Sequence, residues 1–218
     1  MAKHLDLEEQ EQLDKLKHFW TQYGNLITWV LIAVLGATAA WNGYQYWQRK
    51  QSTQAAAMFD EVEKVVGAGD VDKAERAFND MKDRFSLALY TPQAGLLVAK
   101  MAYEASKPDI AKTTLTWVAD KSSDPGYAAI ARLRLANLHI EARAYDEALK
   151  VLDGIKTADF EALASDRRGD VYAAQNNASE AKSHYLKAYK ALDEKSEYRR
   201  ILKYKLNALG IDPEQAKP

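Results

Sequence analysis

Between Lys17 and Arg49 the chain carries no Asp, Glu, Lys or Arg. The centre of this run, NLITWVLIAVLGATAAWNGYQYW from Asn25 to Trp47, has to leave water along its whole length. Three arrangements do this: a cleaved signal peptide, a buried core helix, or a permanent membrane anchor. A bilayer core of ~30 Å is crossed by roughly 20 apolar residues in a helix. Such a helix satisfies its own backbone hydrogen bonds. Trp20, Tyr23 and Trp29 lie toward one end of the run, and Trp41, Tyr44, Tyr46 and Trp47 toward the other. That is the pattern of interfacial aromatic belts. Ala37-Thr38-Ala39 resembles a cleavage site, but secretory n-regions are short and basic. Here 24 residues come first, with three Lys against five Asp and Glu. The sequence therefore predicts an uncleaved transmembrane helix over 25–47, preceded by a leader over 1–24.

Within the run, Ala33, Gly36, Ala37 and Ala40 stand at a spacing that lets membrane helices pack closely. Chance placement of small residues gives the same pattern. The leader segment LEEQEQLDKLKHFWTQYG is amphipathic, with Leu13, Leu16, Trp20 and Tyr23 on one face and a supporting Glu11–Lys15 pair. It lies either in the headgroup region or as an extension of the membrane helix. Charge does not orient the anchor: Lys15 and Lys17 on one side face Arg49 and Lys50 on the other.

Of 30 Lys and Arg and 31 Asp and Glu, three and five precede the run, which leaves 27 and 26 after it. This balance lacks the basic stripe of a nucleic-acid-binding surface. The chain has no cysteine, which excludes disulfides and thiolate metal sites.

After Arg49, apolar residues recur at three and four, the helical period. Turn residues interrupt at Gly67-Ala68-Gly69, Ser106-Lys107-Pro108, Ser122 to Gly126 and Asn176-Asn177. Four segments align: DKAERAFNDM, IAKTTLTWVAD, DEALKVLDGI and SEAKSHYLKA. Each has a small anchor, Ala74, Ala111, Ala148 or Ala181, at spacings of 37, 37 and 33. Four residues on stand Phe78, Leu115, Leu152 and Tyr185, and three further Met81, Val118, Ile155 and Ala188. This is the second-helix pattern of the tetratricopeptide repeat, a helix-turn-helix unit of about 34 residues. The alanine lets two helices approach, and the bulky residue fills the groove against the next unit. First-helix matches are Val62 and Val65, then Ala99 and Ala102, then Leu135, Ala136 and His139, then Gly169 and Tyr172. A last helix, Glu197 to Leu209, places Leu202, Leu206 and Leu209 on one stripe and reads as a capping helix. The expected fold is all-α: leader, one transmembrane helix, and a tetratricopeptide-like solenoid over 48–211 with its cap. A disordered tail is expected over 212–218.

No catalytic, cofactor-binding or metal-binding residues are predicted. The four histidines lack metal-ligand spacing, and neither a nucleophile elbow nor a phosphate loop is present. Asp70-Val71-Asp72 starts a helix rather than a calcium loop. Asn177-Ala178-Ser179 is formally a glycosylation sequon, at a repeat turn where Asn and Ser are expected anyway. Solenoids of this kind act by presenting a groove lined by first helices. In this register the groove candidates are Phe59, Gln93, Leu96, Lys100, Tyr103, Leu133, Arg134, Asn137, Arg167 and Asp170. Arg134, Asn137 and Arg167 echo part of the carboxylate clamp of chaperone adaptors, but Leu133 stands where a clamp lysine belongs, so no clamp is expected.

The layout resembles a bacterial family. LDKLKHFWTQYGN leads into the span, AAWNGYQYWQRKQSTQAA leaves it, VLDGIKTADFEALASDRRGDVYAAQNNASEAKSHYLKAY forms the last repeats, and YRRILKYKLNALGI closes the array. These segments are similar to the YfgM family, ancillary subunits of the SecYEG translocon, from about Leu7 to Ile211. The most specific are FW-x-x-YGN and the LD-x-IK…D-x-RGD stretch, Leu152 to Asp170. The resemblance implies a non-enzymatic protein, anchored in the bacterial inner membrane with a cytoplasmic N-terminus and periplasmic repeats. It implies association with SecYEG and with a membrane-anchored periplasmic chaperone of the parvulin type (PpiD-like), and a part in handing newly translocated, unfolded secretory proteins to folding factors. Two other functions fit the residues: an envelope scaffold holding a folded cell-wall or outer-membrane assembly partner, and a regulator acting through the leader.

Overall fold

A computed structural model describes residues 7–214, with side chains from residue 10 onward. The first six residues of the expected leader and residues 215–218 of the expected tail lie outside the described residues. The chain forms two compact units, Met1–Gln51 and Ser52–Pro218.

The first unit is the leading part of α1 (Leu7–Gly67). The leader from Leu7 on and the apolar run belong to this one helix, so the leader is an extension rather than a separate element. Its apolar window is only 6% buried, whereas a soluble core helix would be mostly buried. It is long and apolar enough to cross a membrane. Trp20, Trp29, Leu35, Trp41 and Tyr46 all stand open, each at least 60% exposed. The threonine hydroxyls inside the run are satisfied within the helix: Thr28 Oγ1 donates to the Gly24 carbonyl at 2.8 Å and Thr38 Oγ1 to that of Leu35 at 2.9 Å. Ala33, Gly36, Ala37 and Ala40 are exposed, and a Cβ at Gly36 would meet nothing. Glu11 and Lys15 pair at 4.0 Å on the surface.

The second unit begins with the last part of α1 and continues through α2 (Val71–Phe85), α3 (Tyr90–Glu104), α4 (Pro108–Lys121), α5 (Pro125–Glu141), α6 (Tyr145–Asp153), a 3-10 turn (Ala158–Phe160), α7 (Glu161–Ala174), α8 (Ala178–Ala191) and α9 (Tyr198–Ala208). From α2 on, each α-helix packs on the next, and α3, α5 and α7 lie side by side. That is a helix-turn-helix solenoid whose first helices share a face. All twelve residues of the aligned triplets are buried, with none more than 4% exposed. The four anchor alanines are wholly inaccessible.

The turns inside the repeats keep the same period. Gly69, Ser106, Arg143 and Asn176 all adopt positive φ, between 57° and 78°. Each stands five residues before its anchor alanine. In the last three units the next amide closes a Schellman turn: Lys107 N–H reaches the Ala102 carbonyl, Ala144 that of His139, and Asn177 that of Tyr172, each at 2.8 Å. Three of the following helices then start on a side-chain cap or a proline, Pro108 among them, while α6 starts after Ala144 with neither. Asp70 accepts from the Lys73 amide at 3.0 Å, and Asn177 from that of Glu180 at 3.3 Å. The residues that resembled a calcium loop and a sequon are therefore helix caps.

Glycines mark the closest approaches between helices. A Cβ on Gly95 would lie 2.5 Å from Val118 Cγ2, and one on Gly169 2.4 Å from the Tyr185 ring. Only glycine lets α3 meet α4, and α7 meet α8, this closely.

The core is divided into three clusters. The first runs from Ala55 and Val62 of α1 through α5. The second joins α5, α6 and α7, and the third joins α8 to α9 through Tyr185, Tyr189, Leu202 and Leu206. Leu202 and Leu206 are fully buried, as expected of a cap stripe, and Leu209 packs beside them. Of the expected tail, Asp212 to Glu214 are described: Glu214 pairs with Lys203 at 2.7 Å, and Pro213 is buried.

Candidate partner-binding pocket

The inner face formed by α3 and α5 holds a concavity of about 280 Å³. From α3 it receives Ala99, Lys100 and Tyr103, and from α5 Arg134, Asn137, Leu138 and Glu141. Ala111 and Leu115 of α4 close the floor. Helical spacing explains the set: residues three and four apart lie on one face. Four of the predicted groove residues, Lys100, Tyr103, Arg134 and Asn137, thus come together.

The polar groups of this pocket are unevenly satisfied. Tyr103 donates its hydroxyl to Glu141 at 2.7 Å, and that bond holds the phenol proton above its ordinary pKa. Lys100 and Glu104 lie 3.7 Å apart, both more than 60% exposed, which makes a weak pair. Arg134 gives one N–H to the Leu96 carbonyl at 2.9 Å, which bridges α5 to α3. Its other donors meet no carboxylate, and the Asn137 amide makes no hydrogen bond, among the described residues.

The other six predicted groove residues lie elsewhere. Leu96 is 8% exposed and belongs to the first core cluster. Leu133 packs against the second cluster. Phe59 rests on the Tyr90 ring at 5.7 Å. Gln93 Nε2 donates to the Tyr127 hydroxyl.

Arg167 and Asp170 enter a different site, between α7 and the cap. Asp166, fully buried, accepts from the Tyr198 hydroxyl at 2.6 Å and from Lys205 Nζ at 2.7 Å. Asp170 accepts from Lys205 at 2.6 Å, from the Tyr185 hydroxyl at 2.8 Å and from Arg167 at 2.7 Å. Burial raises the pKa of Tyr185 and of Tyr198, and the carboxylates beside them add to the effect. Both hydroxyls therefore stay protonated and able to donate. Sequence reasoning missed this network. Its signals were present: an aspartate at a first-helix position where Leu96 and Leu133 stand in the earlier units, and a lysine one residue before the buried Leu206.

A tetratricopeptide repeat-like domain family model matches residues 17–211. A Neisseria gonorrhoeae protein named ancillary SecYEG translocon subunit is 31% identical over 96% of this chain and all of its own length. This chain belongs to the YfgM family of tetratricopeptide repeat-like proteins. Proteins of the same name from Haemophilus influenzae and Escherichia coli are 27% and 24% identical, each over 93% of this chain and at least 97% of their own.

The structure gives physical meaning to the two C-terminal segments that carried the YfgM resemblance. In the D-x-RGD stretch, Asp166 and Asp170 receive Lys205. Arg168 donates to the Leu152 carbonyl and to Asp153, each at 3.1 Å. Gly169 makes room for Tyr185. Lys205 and Tyr198 come from YRRILKYKLNALGI. The two segments are the halves of one lock, which fastens the cap to the last repeat.

Proposed function

We propose that this chain is a membrane-anchored, non-enzymatic binding module of the SecYEG translocon. It spans the bacterial inner membrane once, with its N-terminus in the cytoplasm and the repeats in the periplasm. The α3–α5 pocket engages translocon-associated partners: a membrane-anchored periplasmic chaperone of the parvulin type and segments of newly translocated, unfolded proteins. The observation that carries this reading is the near full-length likeness to a protein named ancillary SecYEG translocon subunit. The exposed apolar helix supports the anchor, and the solvent-facing donors of Arg134 and Asn137, without protein partners in a small concavity, support a recognition role. Anchoring raises the effective concentration of the pocket near the translocon exit, so weak contacts suffice.

The test is recovery of the tagged full-length protein from its native membranes in gentle detergent, with partners identified by mass spectrometry. Translocon subunits together with a periplasmic chaperone are expected. A single cell-wall or outer-membrane assembly protein, without the translocon, would instead establish an envelope scaffold. Protease added to spheroplasts should cleave the repeats; their survival would place them in the cytoplasm and end this reading. Loss of function on deleting residues 1–17, with partner recovery intact, would favour a regulator acting through the leader.

A further inference from the structure

The donors of the α3–α5 pocket that have no protein partner specify what it takes. Both nearby carboxylates are engaged, Glu141 by the Tyr103 hydroxyl at 2.7 Å and Glu104 by Lys100 at 3.7 Å. Arg134 has no carboxylate partner among the described residues. Its guanidinium is anchored at one end by the Leu96 carbonyl, which leaves a planar fork of donors suited to a carboxylate. Asn137 offers one amide donor face and one acceptor, the complement of a peptide group. Beneath them Ala99, Ala111, Leu115 and Leu138 form an apolar floor, each under 9% exposed. The volume of about 280 Å³ falls just below the range of small-molecule sites, about 300–1,000 Å³, and is of a size for one or two side chains.

We infer that this pocket binds an internal, extended polypeptide segment in which an aliphatic side chain adjoins an acidic one. The carboxylate meets Arg134, the aliphatic group covers the α3–α5 floor, and a backbone amide of the segment bonds to Asn137. The segment is internal because a chain terminus would bring a second carboxylate. Among the described residues the cations at hand for it are already paired: Lys100 with Glu104 at 3.7 Å, and on the next helix Arg167 with Asp170 at 2.7 Å and Arg168 with Asp153 at 3.1 Å. This inference rests on the reading of the chain as a binding module and adds the chemistry of the bound partner.

The experiment uses the full-length chain in nanodiscs and four dye-labelled twelve-residue peptides, blocked at both ends. They share a Gly/Ser background and differ only in a central Leu-Glu, Leu-Gln, Leu-Lys or Ser-Glu pair. Fluorescence anisotropy should rank Leu-Glu first, about tenfold or more above Leu-Lys, the size expected for one charge-assisted hydrogen-bonded contact. In Arg134→Gln the Glu-over-Lys preference should collapse toward parity, while Leu-Glu and Ser-Glu still differ. In Asn137→Ala all four peptides should weaken together with their order kept. Arg200→Gln, on exposed α9, should change nothing. Equal affinities for the four peptides, or a preference that survives Arg134→Gln, would overturn the inference. If no peptide binds while the wild-type protein still recovers partners from membranes, the pocket chemistry is wrong and the binding-module reading stands. If the peptides bind in the expected order and no partners are recovered, that reading fails and the pocket chemistry stands.

Discussion

Arg134 in α5 and Arg167 in α7 occupy the same repeat position, 33 residues apart, and so do Asn137 and Asp170. Their fates differ. In α7 every charge is met: Arg167 by Asp170, and both aspartates by Lys205 of the cap. In α5 no cap follows. The next first helix is α7, which brings neither a lysine nor an acid to Arg134, so its donors and the Asn137 amide stay open. One position in the repeat thus serves as structural lock at the end of the array and is left without a side-chain partner in its middle. Charge at a repeat position does not by itself mark a binding residue; what the following helix offers it decides.

Breaking the lock should give the largest effect. Lys205→Ala leaves Asp166 fully buried and Asp170 mostly buried with no cation from the cap. Removing one partner of a buried pair typically costs about 3–5 kcal/mol. Lys205 is still about a quarter exposed, so a loss near the lower end, about 3 kcal/mol, is expected in urea unfolding followed by circular dichroism. A loss below about 1 kcal/mol would show that the cap is held by Leu202 and Leu206 alone.

Next in size is Gly169→Ala. The new methyl would lie 2.4 Å from the Tyr185 ring, whose hydroxyl is held by Asp170. Overpacking of this kind costs about 1–3 kcal/mol. The same substitution at Gly36, in open space, should leave stability nearly unchanged and serves as the matched comparison.

Two histidines give a smaller, pH-dependent effect. His139 and His184 each have a buried Nδ1 without a partner. Burial is the main cause that lowers the pKa of both below the ordinary 6.5. The folded state favours the neutral ring. Its contribution is fully present above pH 6.5 and is lost as pH falls from there through the lowered folded value. Melting temperature should therefore decline on acidification across that window, and the double variant His139→Gln, His184→Gln should flatten the decline. An unchanged slope would remove these rings as its source.

Much of the architecture was legible because it depends on local periodicity. The charge-free run, the four alanine anchors, the cap stripe and the caps at Asp70 and Asn177 all follow from spacing along one chain. The candidate site was legible in part. Lys100, Tyr103, Arg134 and Asn137 converge because helices of adjacent units repeat the same face. Leu96 shares a helix face with Lys100 but is buried in the first core cluster; how deep a residue on that face sits depends on the neighbouring helices, which spacing along one chain does not report. Arg167 and Asp170 were placed in the groove because their partner, Lys205, lies 35 residues beyond Asp170 on a helix whose docking angle no local pattern encodes.

The smallest structural effect, paired with the largest functional one, belongs to the pocket. Lys100→Glu with Arg134→Glu removes one weak surface pair and one hydrogen bond to a backbone carbonyl, worth about 1–2 kcal/mol together. The most direct measurement is recovery of partners from native membranes by this double variant, beside the wild type and beside a variant reversed at two cap cations outside the pocket, Arg200→Glu with Lys203→Glu. Partner recovery lost only in the pocket variant, with its helical circular dichroism retained, is the result expected here. Full recovery of every partner by a folded pocket variant would contradict it, and would move recognition away from the α3–α5 pocket.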